Sequence, residues 1–146
     1  MFRVVLLNTL ALALAGCATV EANSKMFERQ RPVTDLERMA ILEHIRNSFF
    51  DPYSIRDAEI SNAVPTVELA TSATKLRVCV KANAKNRMGG YAGRKTTMFF
   101  LDTSGRVADV ASEGDDTNWR FLALTCESSQ LHYSLFSEAE HIAEKR

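Results

Sequence analysis

The sequence predicts an α+β domain: an N-terminal amphipathic helix packed on a small antiparallel sheet of three to four strands, followed by a C-terminal helical segment. Three observations point there. Thr34-Asp35-Leu36-Glu37 opens an apolar run with helical period, residues Lys75 to Lys85 alternate strictly, and two turn signals separate strand-like runs after Lys85. A chain of 146 residues suits one small domain with its own core.

The helix begins where the Thr34 hydroxyl and the Glu37 carboxylate form a capping box, each satisfying a backbone amide. On a 3.6-residue wheel Met39, Leu42, Ile45 and Phe49 share one side with Ile41 beside them, and Glu37, His44 and Asn47 lie opposite. Pro52 stops the helix, so Asp51-Pro52-Tyr53-Ser54 reads as a turn. Ile55 to Ser61 suits a short strand, and Asn62 to Thr74, with Pro65 and many small polar residues, reads as a connecting loop.

From Lys75 the alternation sends Leu76, Val78, Val80, Ala82 and Ala84 to one face, which the helix is placed to cover. Arg77, Cys79, Lys81, Asn83 and Lys85 go to the other. Gly89-Gly90-Tyr91-Ala92-Gly93 then makes a wide hairpin loop. Arg94 to Leu101 is the second strand of a meander, Asp102-Thr103-Ser104-Gly105 the next turn, and Arg106 to Ala111 the third strand. After an acidic loop at Ser112 to Asp116, Trp119, Leu122, Ala123 and Cys126 recur at helical spacing, although Phe121 to Leu124 would also suit a buried strand. The SEAEHIAEKR end reads as a frayed helix.

The first residues stand apart from this domain. Met1, Phe2 and Arg3 lead into an apolar run from Val4 to Leu14, the pattern of a secretory leader and short for a spanning helix, with an uncleaved membrane anchor or a buried amphipathic helix as the competing reading. Its end, Leu14-Ala15-Gly16-Cys17, resembles the lipobox of bacterial lipoproteins. The resemblance implies cleavage before Cys17, diacylglycerol and fatty acyl groups on that cysteine as the one covalent addition, and no other cofactor. In the family's sorting rule Asp after the cysteine retains the protein at the inner membrane; Ala18 here implies the periplasmic face of the outer membrane. The expected organisation is a leader over residues 1–16, a lipidated tether over 17–31 and one periplasmic domain over 32–146.

With Cys17 carrying lipid, Cys79 and Cys126 remain as an even pair in an oxidising compartment, which predicts a disulfide; two separate buried thiols are the competing reading. Because the alternation puts Cys79 on the face away from the helix, a bridge requires the C-terminal segment to cross that face.

Eighteen basic and eighteen acidic residues cancel, and the exported address likewise argues against nucleic acid as a partner. The charges nevertheless segregate. Lys75 to Arg106 holds eight basic residues against Asp102 alone, whereas the chain beyond Arg106 is acidic. Two readings stand: a surface for an anionic envelope component or an acidic envelope protein, or a solvated sheet face with internal charge pairs.

Asp51-Pro52 with Ser54, Val78-Cys79, Asn83-Ala84-Lys85-Asn86, Gly89-Gly90-Tyr91 and Gly93 together resemble a group of small, uncharacterised bacterial proteins with a DP-x-S turn, a VC strand and NAKN and GGY segments. The resemblance implies a helix-plus-sheet fold and a loop that matters. The expected interaction surface is therefore Arg77, Lys81, Asn83, Lys85, Asn86, Gly89, Gly90, Tyr91 and Gly93, with Tyr91 displayed on the loop.

Enzymatic patterns are weak. His44, His132 and His141 stand far apart in sequence, His44 on the polar side of its helix, with no zinc-ligand spacing, nucleophile elbow or phosphate-binding loop. The expected role is non-catalytic, binding or structural, in the cell envelope, with a membrane partner through the lipid. A small periplasmic hydrolase or thiol enzyme is the alternative.

Overall fold

A computed structural model describes residues 25–67, 74–113 and 125–142. The expected leader, Cys17 with most of its tether, part of the 62–74 connection and the Trp119 to Leu124 stretch lie outside the described residues. Helix α1 spans Asp35–Ser48, and a 3-10 turn covers Pro52–Ser54. The strands are β1 Arg56–Ser61, β2 Val64–Val67, β3 Thr74–Asn83, β4 Lys95–Leu101, β5 Val107–Ser112 and β6 Tyr133–Leu135. A short helix α2 covers Ser137–Glu140.

The fold is α+β, but the antiparallel sheet has six strands rather than three or four, in the order β5-β4-β3-β1-β6 with β2 pairing β3. The meander β3-β4-β5 matches the expectation in place and direction. Its extra neighbours are β2 and β6. Pro65 lies within β2, which among the described residues pairs with β3 and has no second neighbour, the kind of strand in which proline is tolerated. β6 pairs with β1 through Ser61↔Tyr133 and is too short to announce itself by periodicity. β1 shifts register between Arg56 and Glu59, where Asp57 takes φ 53°, a left-handed value that Asp tolerates better than most residues.

The capping box forms as its sequence requires. The Glu37 amide donates to Thr34 Oγ1 at 3.3 Å, and the Thr34 amide donates to Glu37 Oε2 at 2.9 Å. Arg31 adds a two-pronged contact to the same carboxylate at 2.6 and 2.9 Å. Partnered in this way, Glu37 can be buried, and the helix turns its 37–41–45 stripe inward. This corrects the wheel. Met39 points outward at 59% exposure, and His44 is half-buried with its ring edge-on to Phe99 at 5.7 Å.

Beneath α1, Ile41 and Ile45 pack on Ile60, Val78, Val80, Phe99 and Leu101, and Phe136, Ala139 and Ile142 belong to the same core. Each fully buried large side chain contributes roughly 1.5–3 kcal/mol. The opposite sheet face has a second apolar layer: Phe27, Val64, Cys79, Met98, Cys126 and Leu131. A disulfide joins Cys79 to Cys126 within it, Cα–Cα 5.7 Å. The segment after Cys126 therefore lies over the face that the alternation left polar.

Candidate functional site

The loop between β3 and β4 is closed by its own backbone. The Asn86 amide donates to Gly90 O and the Gly89 amide to Asn86 O, both at 2.9 Å. Asn86 Oδ1 accepts the Met88 and Gly90 amides at 2.9 and 3.2 Å. Gly89 and Gly93 have φ of 79° and 97°, values that a side chain would strain.

A second set of bonds ties this loop to the turn after α1. Ser54 Oγ donates to Asp51 O and accepts the Lys85 amide, each at 2.9 Å. The Tyr91 hydroxyl donates to Ser54 O at 2.9 Å. The Arg56 guanidinium stacks 3.6 Å from the Tyr91 ring centroid, and the Lys85 ammonium lies 5.8 Å from it. The DP-x-S and GGY segments, distant in sequence, thus form one brace. Tyr91 is not simply displayed, as its position in a glycine loop suggested: its hydroxyl is engaged, one ring face is covered, and 39% of the residue remains exposed.

The braced loop borders a groove of about 280 Å³ that lies between it, the end of α1 and the sheet. Phe49, Val80, Ala82 and Ala84 give it an apolar floor, because the strands continue past α1 with small side chains. Lys85, Asn86, Ala92, Gly93 and Lys95 line it from the loop side, and Thr96, Thr97, Ser112 and Glu113 from β4 and β5. Thr97 Oγ1 and Ser112 Oγ are 3.3 Å apart, and Glu113 Oε2 accepts the Thr96 amide at 3.1 Å. A concave apolar site with a few convergent polar groups is the usual form of a small-molecule site.

The residues expected to share one basic surface are divided between two faces. Lys85, Asn86 and Gly93 line the groove, and Gly89, Gly90 and Tyr91 build the loop above it. Arg77, Lys81 and Asn83 lie on the disulfide face and do not form an open basic sheet. Arg77 donates to Thr125 Oγ1 at 2.7 Å and Thr66 Oγ1 at 3.0 Å, and stacks 5.6 Å from the Phe100 centroid. Burial pushes its pKa down, and its Nε has no hydrogen-bond partner among the described residues. The Lys81 ammonium sits 4.1 Å from the Tyr133 ring centroid. Tyr133 in turn donates to Cys126 O at 2.7 Å, and burial, followed by the Glu59 charge, raises its pKa. Asn83 is buried. The physical reason is the crosslink, which holds Thr125 to Tyr133 across the odd-numbered positions of β3.

Several of the segregated charges are paired within the chain. Arg94 bonds Glu59 and Arg106 bonds Asp102, while in the acidic C-terminal part Glu138 holds Arg38 at 3.1 Å and Glu140 Oε1 accepts the Ala58 amide at 2.8 Å. No histidine lines the groove. Among the described residues no group of three or more His, Cys, Asp or Glu is placed to hold a metal.

Sequence reasoning missed Lys95, Thr97, Ser112 and Glu113. The available signal was the cluster Ala82, Ala84, Ala92 and Gly93, small residues where the neighbouring strands carry Val, Phe and Leu. Compared with protein-family models, curated proteins and solved structures, the chain matches none.

Proposed function

We propose that the protein is an outer-membrane lipoprotein, anchored through Cys17, whose periplasmic domain is a non-catalytic binding module of the cell envelope. The binding site in this reading is the groove below the Tyr91 loop, in place of the flat basic sheet. The observation that carries it is that the loop bordering an apolar-floored groove, at Lys85, Asn86, Ala92 and Gly93, is tied to the turn after α1 through Ser54, Lys85 and Tyr91. A loop held by internal hydrogen bonds presents its site without first having to order it. What supports binding over turnover is the lining: a hydroxyl pair already in contact, lysines at the rim and no imidazole within it. The LAGC sequence at residues 14–17 supports the anchor.

Two measurements test this. Globomycin treatment, or Cys17→Ser, should leave the chain unprocessed or released from the membrane; normal processing and anchoring in both cases would remove the lipoprotein reading. A photo-crosslinking residue at Ala92, on the groove lip, should trap a specific partner in intact cells. Equal trapping from an exposed position away from the groove, such as Asp109, would remove the groove as the site.

A further inference from the structure

Resting on that reading, we propose that the groove takes a small anionic amphiphile, a short aliphatic chain ending in a carboxylate or phosphate. The floor sets the chain. Val80, Ala82 and Phe49 offer no hydrogen bond, so a polar ligand body would lose its water there without replacement. The groove, about 280 Å³, has room for a short chain.

The rim sets the charge. Lys95 pairs across the ladder with Ala82, which places it beside the apolar floor, and its ammonium has no ion-pair partner among the described residues. Among the described residues the Lys85 ammonium has no ion-pair partner either, and it lies 5.8 Å from the Tyr91 ring centroid. Glu113, the acidic lining residue, turns Oε2 onto the Thr96 amide. Two cations that gain no carboxylate among the described residues thus stand over an apolar cleft, and an amphiphile with a negative head satisfies both features. A head of this kind belongs equally to a free alkyl acid and to a phospholipid, and the test separates these sources.

The experiment is calorimetric titration of the whole mature chain, residues 17–146 with Cys17→Ser, so that no attached lipid competes. Octanoate, octyl phosphate, octanol, octylammonium and dihexanoyl-phosphatidylglycerol are the probes. Octanoate and octyl phosphate should bind more tightly than octanol, and octylammonium should not bind. Phosphatidylglycerol binding as tight as octyl phosphate identifies a membrane lipid as the source; its exclusion identifies a free acid or phosphate, and both outcomes support the proposal. Lys95→Glu, at an exposed position, should weaken octanoate about tenfold, equivalent to about 1.4 kcal/mol, and leave octanol unchanged. Glu113→Gln should strengthen octanoate. Ala82→Phe should abolish every probe, with Ala92→Trp as the check if that core variant does not fold.

Octanol binding as tightly as octanoate, or indifference of octanoate to Lys95→Glu, would overturn the anionic head. Absence of binding by every probe would overturn the amphiphile. Either result combined with groove-specific trapping at Ala92 in cells would leave the binding reading standing and remove the ligand class alone.

Discussion

Replacing both Cys79 and Cys126 by alanine is expected to destabilise the domain by about 4 kcal/mol. The figure follows from the 47-residue separation of the bridge. Closing a loop of that length removes about 14 cal/mol/K of entropy from the unfolded chain, or about 4 kcal/mol at 25 °C. In a domain whose total stability is expected to be ~5–15 kcal/mol, that loss is a large share. The assay is urea unfolding of residues 17–146 carrying Cys17→Ser, followed by far-UV circular dichroism. With a slope of about 1–3 kcal/mol/M, the midpoint should fall by about 1.3–4 M. Amide exchange should lose protection at the core positions Ile41, Ile45 and Phe99 as well as around Thr125 to Tyr133, because restriction of the unfolded chain stabilises the whole domain. A midpoint change equivalent to less than about 1 kcal/mol would refute the argument that the bond acts by restricting the unfolded chain.

Glu37→Gln should cost about 1–3 kcal/mol, since the buried carboxylate takes two bonds from Arg31 and one from the Thr34 amide. The Arg31 hydrogen bonds hold the Glu37 carboxyl below its usual range. Its stabilisation is therefore complete above the unfolded carboxylate value and is lost as pH falls through the lower folded one, so the wild type should lose more stability than Glu37→Gln on titration below about pH 4.3. Tyr91→Phe removes the bond to Ser54 O and should cost about 1 kcal/mol, with faster exchange of the Lys85 and Gly90 amides as the local readout. Arg77→Met should change stability by less than about 1 kcal/mol, because an apolar side chain of similar length removes the burden of a half-buried cation; a loss above about 3 kcal/mol would show that the two threonine bonds outweigh desolvation.

Much of the sheet was legible because alternation is a two-sided statement. Assigning Val78, Val80 and Ala82 to the α1 face simultaneously assigns Cys79 to the other, and a cysteine among lysines implies cover from elsewhere in the chain. The consequence for Arg77 and Lys81 was harder to read: whatever covers Cys79 also covers its neighbours two positions away. The helix wheel erred because polarity was taken as exposure, although a carboxylate held by an arginine and a cap can turn inward, as Glu37 does. β2 was hidden by Pro65, which is compatible with an edge strand, and β6 by its brevity. The groove was the least visible feature. It arises from what Ala82, Ala84 and Gly93 fail to fill, and missing volume has no periodicity.

The Cys79–Cys126 bond also closes a covalent ring around the Tyr91 loop, β4 and β5. Met88, 93% exposed at the loop tip, is an open point for a protease. A single cut there opens the ring without separating its parts. The two fragments stay joined, β3 and β4 keep their ladder, and the nick shows on a gel only after reduction. A cut in the chain before Cys79 falls outside the ring and leaves the pieces held by packing alone. The crosslink therefore leaves the chain in one covalent piece after a cut in the loop beside the groove.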